Sequence, residues 1–100
     1  MSSESTRLEM TTGADGALVL SGEIDSFTAP ELAARLGEDG VAVIELSEVT
    51  FIDSSGLRAL VEAHQRRLEA GESLTLRSPS AAVQRLLEIS GLHGHLDVVN

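Results

Sequence analysis

The spacing of apolar positions changes several times along this chain, and each change marks an element. Leu8-Glu9-Met10 alternates weakly, as an edge strand does, and Ala17-Leu18-Val19-Leu20 is a stronger apolar run. Thr11, Thr12 and the turn formers Gly13-Ala14-Asp15-Gly16 lie between them, so the pair reads as a hairpin with a loop of about four residues. Gly22-Glu23-Ile24-Asp25 ends the second strand. The period then lengthens: Ala29, Leu32, Ala33 and Leu36 share one helical face. Thr28 stands as its cap, with Pro30 in the first turn and Glu31 at capping-box spacing from Thr28. Gly37 and Gly40 bracket the end of this helix. Val41-Ala42-Val43-Ile44-Glu45-Leu46 follows, a near-continuous apolar run that predicts a strand covered on both faces.

A second helical pattern runs from about Ser55 to Ala70, with Leu57, Leu60, Val61 and Leu68 inward and Gly71 as C-cap. Arg58, Glu62, Gln65, Arg66 and Glu69 fall on its outer face, where Arg58/Glu62 and Glu62/Arg66 have ion-pair spacing. Ser73-Leu74-Thr75-Leu76 alternates as a strand. Ser78-Pro79-Ser80 opens a third helix with Ala82, Val83, Leu86 and Leu87 inward and Gly91 just past its end, and Leu96-Asp97-Val98-Val99 is a short last strand. The order is β-β-α-β-α-β-α-β. It predicts one α/β domain: a mixed, mostly parallel sheet of four to five strands packed with three helices, joined by right-handed crossovers, the first hairpin giving an antiparallel edge. Residues 1–6 are a polar, Ser-rich lead expected to fray, and residues 7–100 form the domain.

Composition narrows the picture. A chain of 100 residues is one domain that buries roughly 60–70% of its unfolded surface. With Phe27 and Phe51 its only aromatics and 42% apolar residues, its core must be aliphatic. Asp and Glu number 16 against 7 Arg and no Lys, for a formal net charge of −9. No basic cluster exceeds Arg66-Arg67, which argues against a phosphate-tracking nucleic-acid surface and against direct binding to an anionic membrane. Without Cys there is neither a disulfide framework nor a thiolate metal site. No apolar run reaches membrane-span length and the N-terminus lacks signal-peptide regions, so a soluble, cytoplasmic protein is the expectation.

The chemistry concentrates at Asp53-Ser54-Ser55-Gly56, where a buried strand turns into a helix. The first N–H groups of a helix lack intrahelical acceptors and its dipole is positive there, so a carboxylate or hydroxyl can cap it and a phosphate is tolerated. Asp, Ser and Gly also cluster at such turns for purely structural reasons. A serine-hydrolase elbow needs Gly on both sides of the nucleophile, and the residue two before Ser54 is Ile52. His64 lies about two and a half turns down the same helix on its apolar face, which suits packing and not a triad. There is no Gly-Lys-Ser/Thr phosphate loop. His93, His95 and Asp97 fall on one side of an extended segment, where three ligands can hold a metal. Gly91, Gly94 and the nearby chain end point instead to a solvated loop, so neither metal nor cofactor is expected.

The phrase Leu46-Ser47-Glu48-Val49-Thr50-Phe51-Ile52-Asp53-Ser54-Ser55-Gly56-Leu57 resembles the signature of the bacterial anti-sigma factor antagonists, the STAS domain family. Gly22-Glu23-Ile24-Asp25 followed by Thr28-Ala29-Pro30-Glu31-Leu32 resembles the family's other motif, and Ile89-Ser90-Gly91-Leu92 its late helix end. The resemblance covers about residues 8 to 99. It implies a STAS fold and a non-enzymatic switch that sequesters an anti-sigma factor serine kinase and frees a sigma factor. ATP is then bound by the kinase, which phosphorylates the turn, and a phosphatase resets it. By position the acceptor is Ser54, with Ser55 as neighbouring cap or alternative acceptor. The implied docking residues are Gly22, Glu23, Asp25, Asp53, Ser54, Ser55, Gly56 and Arg58. An alternative is a STAS subunit of a membrane transport complex, docking on its nucleotide-binding subunit. Many members carry a further helix after the last strand, whereas this sequence stops at Asn100.

Overall fold

A computed structural model of the chain describes residues 7–38 and 40–100. Among these residues the order is β1 (Leu8–Thr12), β2 (Leu18–Ile24), α1 (Ala29–Leu36), β3 (Val43–Ile52), α2 (Ser54–Glu69), β4 (Thr75–Arg77), α3 (Ala81–Ser90) and β5 (Asp97–Val99). This is the β-β-α-β-α-β-α-β order that the periodicity predicts. The polar lead expected over residues 1–6 lies outside the described residues. The strands form one sheet in chain order, β1-β2-β3-β4-β5; β1 and β2 pair antiparallel and the other neighbours pair parallel.

That strand order explains which side of the sheet is covered. Every right-handed crossover steps the same way, so the helices gather on one face. Leu18, Leu20 and Ile24 of β2 and Ile44, Leu46, Val49 and Ile52 of β3 are buried beneath them. The intervening Val19, Ser21, Glu23, Val43 and Glu45 are only half-buried, and Ser47, Glu48 and Thr50 are exposed. The expectation that β3 is covered on both faces is therefore corrected. The strand reads as continuously apolar because Val43 sits on the open side, where the Arg77–Glu45 ion pair (2.6 Å) replaces a second helical layer.

The second strand ends at Ile24, within the Gly22-Glu23-Ile24-Asp25 stretch that the sequence marks as its end. Gly22 is a kink inside it: it adopts φ +113° beside a register shift, and pairing with β3 resumes through Ile24. A Cβ at Gly22 would stand 2.1 Å from the carbonyl oxygen of Arg7, which accepts the Glu23 N–H at 2.7 Å. Only glycine allows that kink and that approach.

The core is aliphatic, as composition requires; Phe27 is 77% and Phe51 48% exposed. Leu68, expected inside, is 56% exposed. The last turn of α2 faces the carbonyls at the end of α1, which call for a donor and not a methyl group. Arg67 supplies it, bonding to the carbonyls of Leu36 (3.1 Å), Glu38 (3.3 Å) and Val41. Helix α2 then closes in a Schellman turn: Gly71 (φ +77°) follows the cap residue Ala70, and the Glu72 N–H reaches the Arg67 carbonyl at 2.7 Å. Ser80 caps α3 and Gly91 ends it in the left-handed conformation, both at the positions read from the sequence. β4 begins at Thr75 and not at Ser73. His93–His95 form a 3-10 turn and not an extended segment, so His93, His95 and Asp97 do not alternate along a strand. No helix among the described residues is long and apolar enough to cross a membrane.

Candidate functional site

Strand β3 delivers the chain to Asp53, and Asp53 starts α2. Its Oδ1 accepts the N–H groups of Ser55 (2.9 Å) and Gly56 (3.1 Å), satisfying two donors that the helix cannot satisfy itself. The cap is thus Asp53 and neither serine. Ser54 is the first residue of α2 and is exposed; Ser55 behind it is half-buried.

The turn is fastened to β2. The Asp53 N–H donates to the Ile24 carbonyl at 3.1 Å, and Thr50 Oγ1 donates to the Gly22 carbonyl at 3.2 Å. Gly56 packs on Ile24 so closely that a Cβ would lie 2.5 Å from Ile24 Cγ2 and 3.0 Å from its carbonyl oxygen. The two sequence motifs are therefore one structural unit, joined at Ile24.

Asp25 organises the neighbouring turn from a position only 6% exposed. Its Oδ1 accepts the N–H groups of Phe27 (2.9 Å) and Thr28 (3.1 Å), and its Oδ2 pairs with the Arg7 guanidinium. Burial pushes this carboxyl up, but the N–H groups of Thr28 and Phe27 and the charge of Arg7 outweigh it and hold the pKa below its ordinary value. Thr28 holds the N-cap position of α1, as expected, but its side chain makes no capping bond to that helix. Its Oγ1 accepts the Asp25 N–H at 2.8 Å and donates to the Glu23 carbonyl at 3.0 Å. Asp25 and Thr28 thus form the reciprocal box themselves, three residues earlier than the Thr28/Glu31 spacing suggests. The Asp25-x-x-Thr28 spacing carries that signal in the sequence. Phe27 stands out from the turn with the Arg7 guanidinium 5.5 Å from its ring centroid.

Between α1 and α2 lies an open cleft of about 370 Å³. Ser26, Ala29, Pro30 and Ala33 line one wall; Ser54, Ser55, Arg58, Ala59 and Glu62 line the other. Of the eight anticipated docking residues, Ser54, Ser55 and Arg58 face this cleft. Asp53 caps the helix behind it, Gly22 and Gly56 permit close backbone packing, Asp25 is buried, and Glu23 pairs with Arg7 at 3.4 Å. Sequence reasoning did not single out the α1 wall, because Ala29 and Ala33 read simply as core-facing. The anticipated Arg58/Glu62 and Glu62/Arg66 pairs are not among the ion pairs of the described residues. A smaller apolar hollow of about 240 Å³ lies between Phe51, Ile52 and the α3 residues Ala82, Arg85, Leu86 and Ile89.

Chemically the cleft offers the hydroxyls of Ser26, Ser54 and Ser55 and the guanidinium of Arg58. Its one carboxylate, Glu62, is eight residues from Ser54, about 12 Å along the helix axis, and His64 is buried away from it. The site is therefore an exposed serine turn beside an open two-helix cleft. The chain is a member of the STAS domain family, whose family model, described as "Mlab, STAS domain", matches residues 8–99. The anti-sigma-B factor antagonist of Listeria monocytogenes is 33% identical over 88 residues, covering 83% of this chain and 77% of the relative. That of Bacillus subtilis is 35% identical over 83 residues, covering 79% and 76%. An anti-sigma factor antagonist from Mycobacterium paratuberculosis superposes with a TM-score of 0.70 at 30% identity, covering 91% of this chain and 82% of that one. The phosphorylated form of the Bacillus cell fate determinant SpoIIAA shares the fold with a TM-score of 0.63 at 18% identity, covering 93% and 91%. The curated relatives are named as antagonists, that is, as binding proteins rather than enzymes.

Proposed function

We propose that this chain is an anti-sigma factor antagonist switched by phosphorylation. Unmodified, it sequesters an anti-sigma factor serine kinase and so frees a sigma factor. The kinase, which holds the ATP, phosphorylates Ser54, with Ser55 as the alternative acceptor; the modified chain lets go, and a phosphatase resets it. The observation that carries this reading is the division of labour at the helix start. Asp53 takes the capping role, leaving the Ser54 hydroxyl exposed on the wall of the cleft. The names of the curated relatives support the antagonist role. Ser54, Ser55 and Arg58 are the contact residues in this scheme, and Gly22, Glu23, Asp25, Asp53 and Gly56 hold them in place.

Magnitudes favour a switch that acts on docking and not on folding. A phosphoryl group adds about −1.5 to −2 charges at neutral pH. The helix dipole favours this by about 0.3–1 kcal/mol, and the adjacent Asp53 opposes it, so the domain's own stability changes little. Two charges about 5 Å from a partner carboxylate, at an effective dielectric near 20, repel by up to about 6–7 kcal/mol. Half of that after screening is still roughly a hundredfold loss of affinity. Ser54→Asp should keep the wild-type circular dichroism and Tm while its affinity for the kinase falls by tenfold or more. Mass spectrometry of the chain after incubation with kinase and ATP should place one phosphate on Ser54. Wild-type affinity in the phosphorylated chain would overturn the proposal.

A further inference from the structure

We propose that Arg58 is the receptor for the phosphoryl group on Ser54, forming an ion pair within the chain that exists only after modification. This rests on Ser54 as the modified residue. Arg58 is singled out by elimination. Arg7, Arg35, Arg67 and Arg77 are engaged with carboxylates of their own. Among the described residues, Arg58, Arg66 and Arg85 form no ion pair, and of these three only Arg58 lines the cleft with Ser54.

Two features of the turn favour a side-chain receptor. The N–H groups of Ser55 and Gly56 are already bonded to Asp53 Oδ1, and that of Leu57 to the Asp53 carbonyl at 3.0 Å. The helix start therefore has few donors left to give a phosphate. In addition, Asp53 places a negative charge one residue away, in a chain whose formal net charge is −9. Arg58 answers both problems. It is four residues on from Ser54 on the same helix, where Cβ atoms are about 5–6 Å apart and side chains lean toward the helix N-terminus. A guanidinium matches phosphate oxygens with two parallel donors. The same cation stands on the docking wall of the unmodified chain. Phosphorylation thus adds an anion to that wall and withdraws its nearest cation in one step.

The test uses chain carrying genetically encoded phosphoserine at position 54, so it does not depend on which residue a kinase selects. The second ionisation of the phosphate is followed by phosphorus NMR against pH, with folding checked by circular dichroism. An exposed pair worth about 0.2–1 kcal/mol lowers that pKa by about 0.15–0.7 unit. Arg58→Gln should raise it by that amount, Arg58→Lys should retain part of the shift, and Arg66→Gln, two turns further along α2, should leave it at the wild-type value. Identical titrations for wild type and Arg58→Gln would overturn the proposal, as would an equal shift from Arg66→Gln, which would show a diffuse field and no pair. Kinase site selection, read by mass spectrometry, fails or succeeds separately.

Discussion

Gly56 is where the fold and the serine turn depend on one another most directly, and Gly56→Ala tests that dependence. The residue lies in the first turn of α2, where alanine is intrinsically favoured over glycine by about 0.5–1 kcal/mol. Propensity alone therefore predicts stabilisation. The new methyl, however, would stand 2.5 Å from Ile24 Cγ2 and 3.0 Å from Ile24 Cβ. Ile24 is fully buried and β-branched, so its methyl cannot swing aside as the end of a flexible chain would. Its carbonyl, also 3.0 Å away, is held by the Asp53 N–H. Overpacking of this kind costs about 1–3 kcal/mol. The clash wins, with a net loss of about 1–2 kcal/mol and a fall in Tm of about 4–15 °C. A double-mutant cycle with Ile24→Ala identifies the cause. Truncating Ile24 removes Cγ2, so the added methyl of Gly56→Ala should cost little in that background, giving a coupling of about 1 kcal/mol or more. Gly37→Ala is the control, since Gly37 has φ −78° and its nearest prospective neighbour is 3.5 Å away. Urea unfolding of the five chains reads the free energies, and thermal unfolding the Tm. An unchanged or raised Tm for Gly56→Ala, or additivity in the cycle, would refute the packing argument.

Asp53→Ala should lower stability by about 0.5–2 kcal/mol through loss of the α2 cap, while Asp53→Asn, which keeps an acceptor oxygen, should retain most of it in the same urea assay. Arg67→Ala should cost about 1–3 kcal/mol, because the carbonyls of Leu36, Glu38 and Val41 lose their shared donor; Arg66→Ala, at an exposed position, should stay within about 0.5 kcal/mol. Stability should fall on acidification. Asp15 is held below its ordinary pKa by its hydrogen bond from Arg77, and Glu45 by Ser47 and then Arg77; in Asp25 the turn N–H groups and Arg7 outweigh burial. Depressed carboxylates stabilise above their unfolded pKa, near 4, and that stabilisation is lost as pH falls through their folded values. The urea midpoint should therefore be level from pH 7 to about 5 and drop below it; a level midpoint down to pH 2 would contradict the assignment.

Local chemistry determined the succession of elements. Alternation in Leu8–Met10, the helical faces at Ala29–Leu36 and Ala82–Leu87, and the stops at Gly71 and Gly91 are consequences of backbone geometry that a few neighbouring residues settle among themselves. The serine turn was legible for the same reason, since Asp53 caps the very residues beside it. Tertiary structure decided everything that depends on distant partners. It left one face of β3 open, because sequential right-handed crossovers put their helices on the other side. It made Gly22 a kink within β2, because the Arg7 carbonyl comes to lie against it. It turned Arg67 inward and Leu68 outward, because the end of α1 presents carbonyls there. And it brought Ala29 and Ala33 opposite Ser54 and Arg58, making a cleft from residues whose spacing along the chain says only that they avoid water.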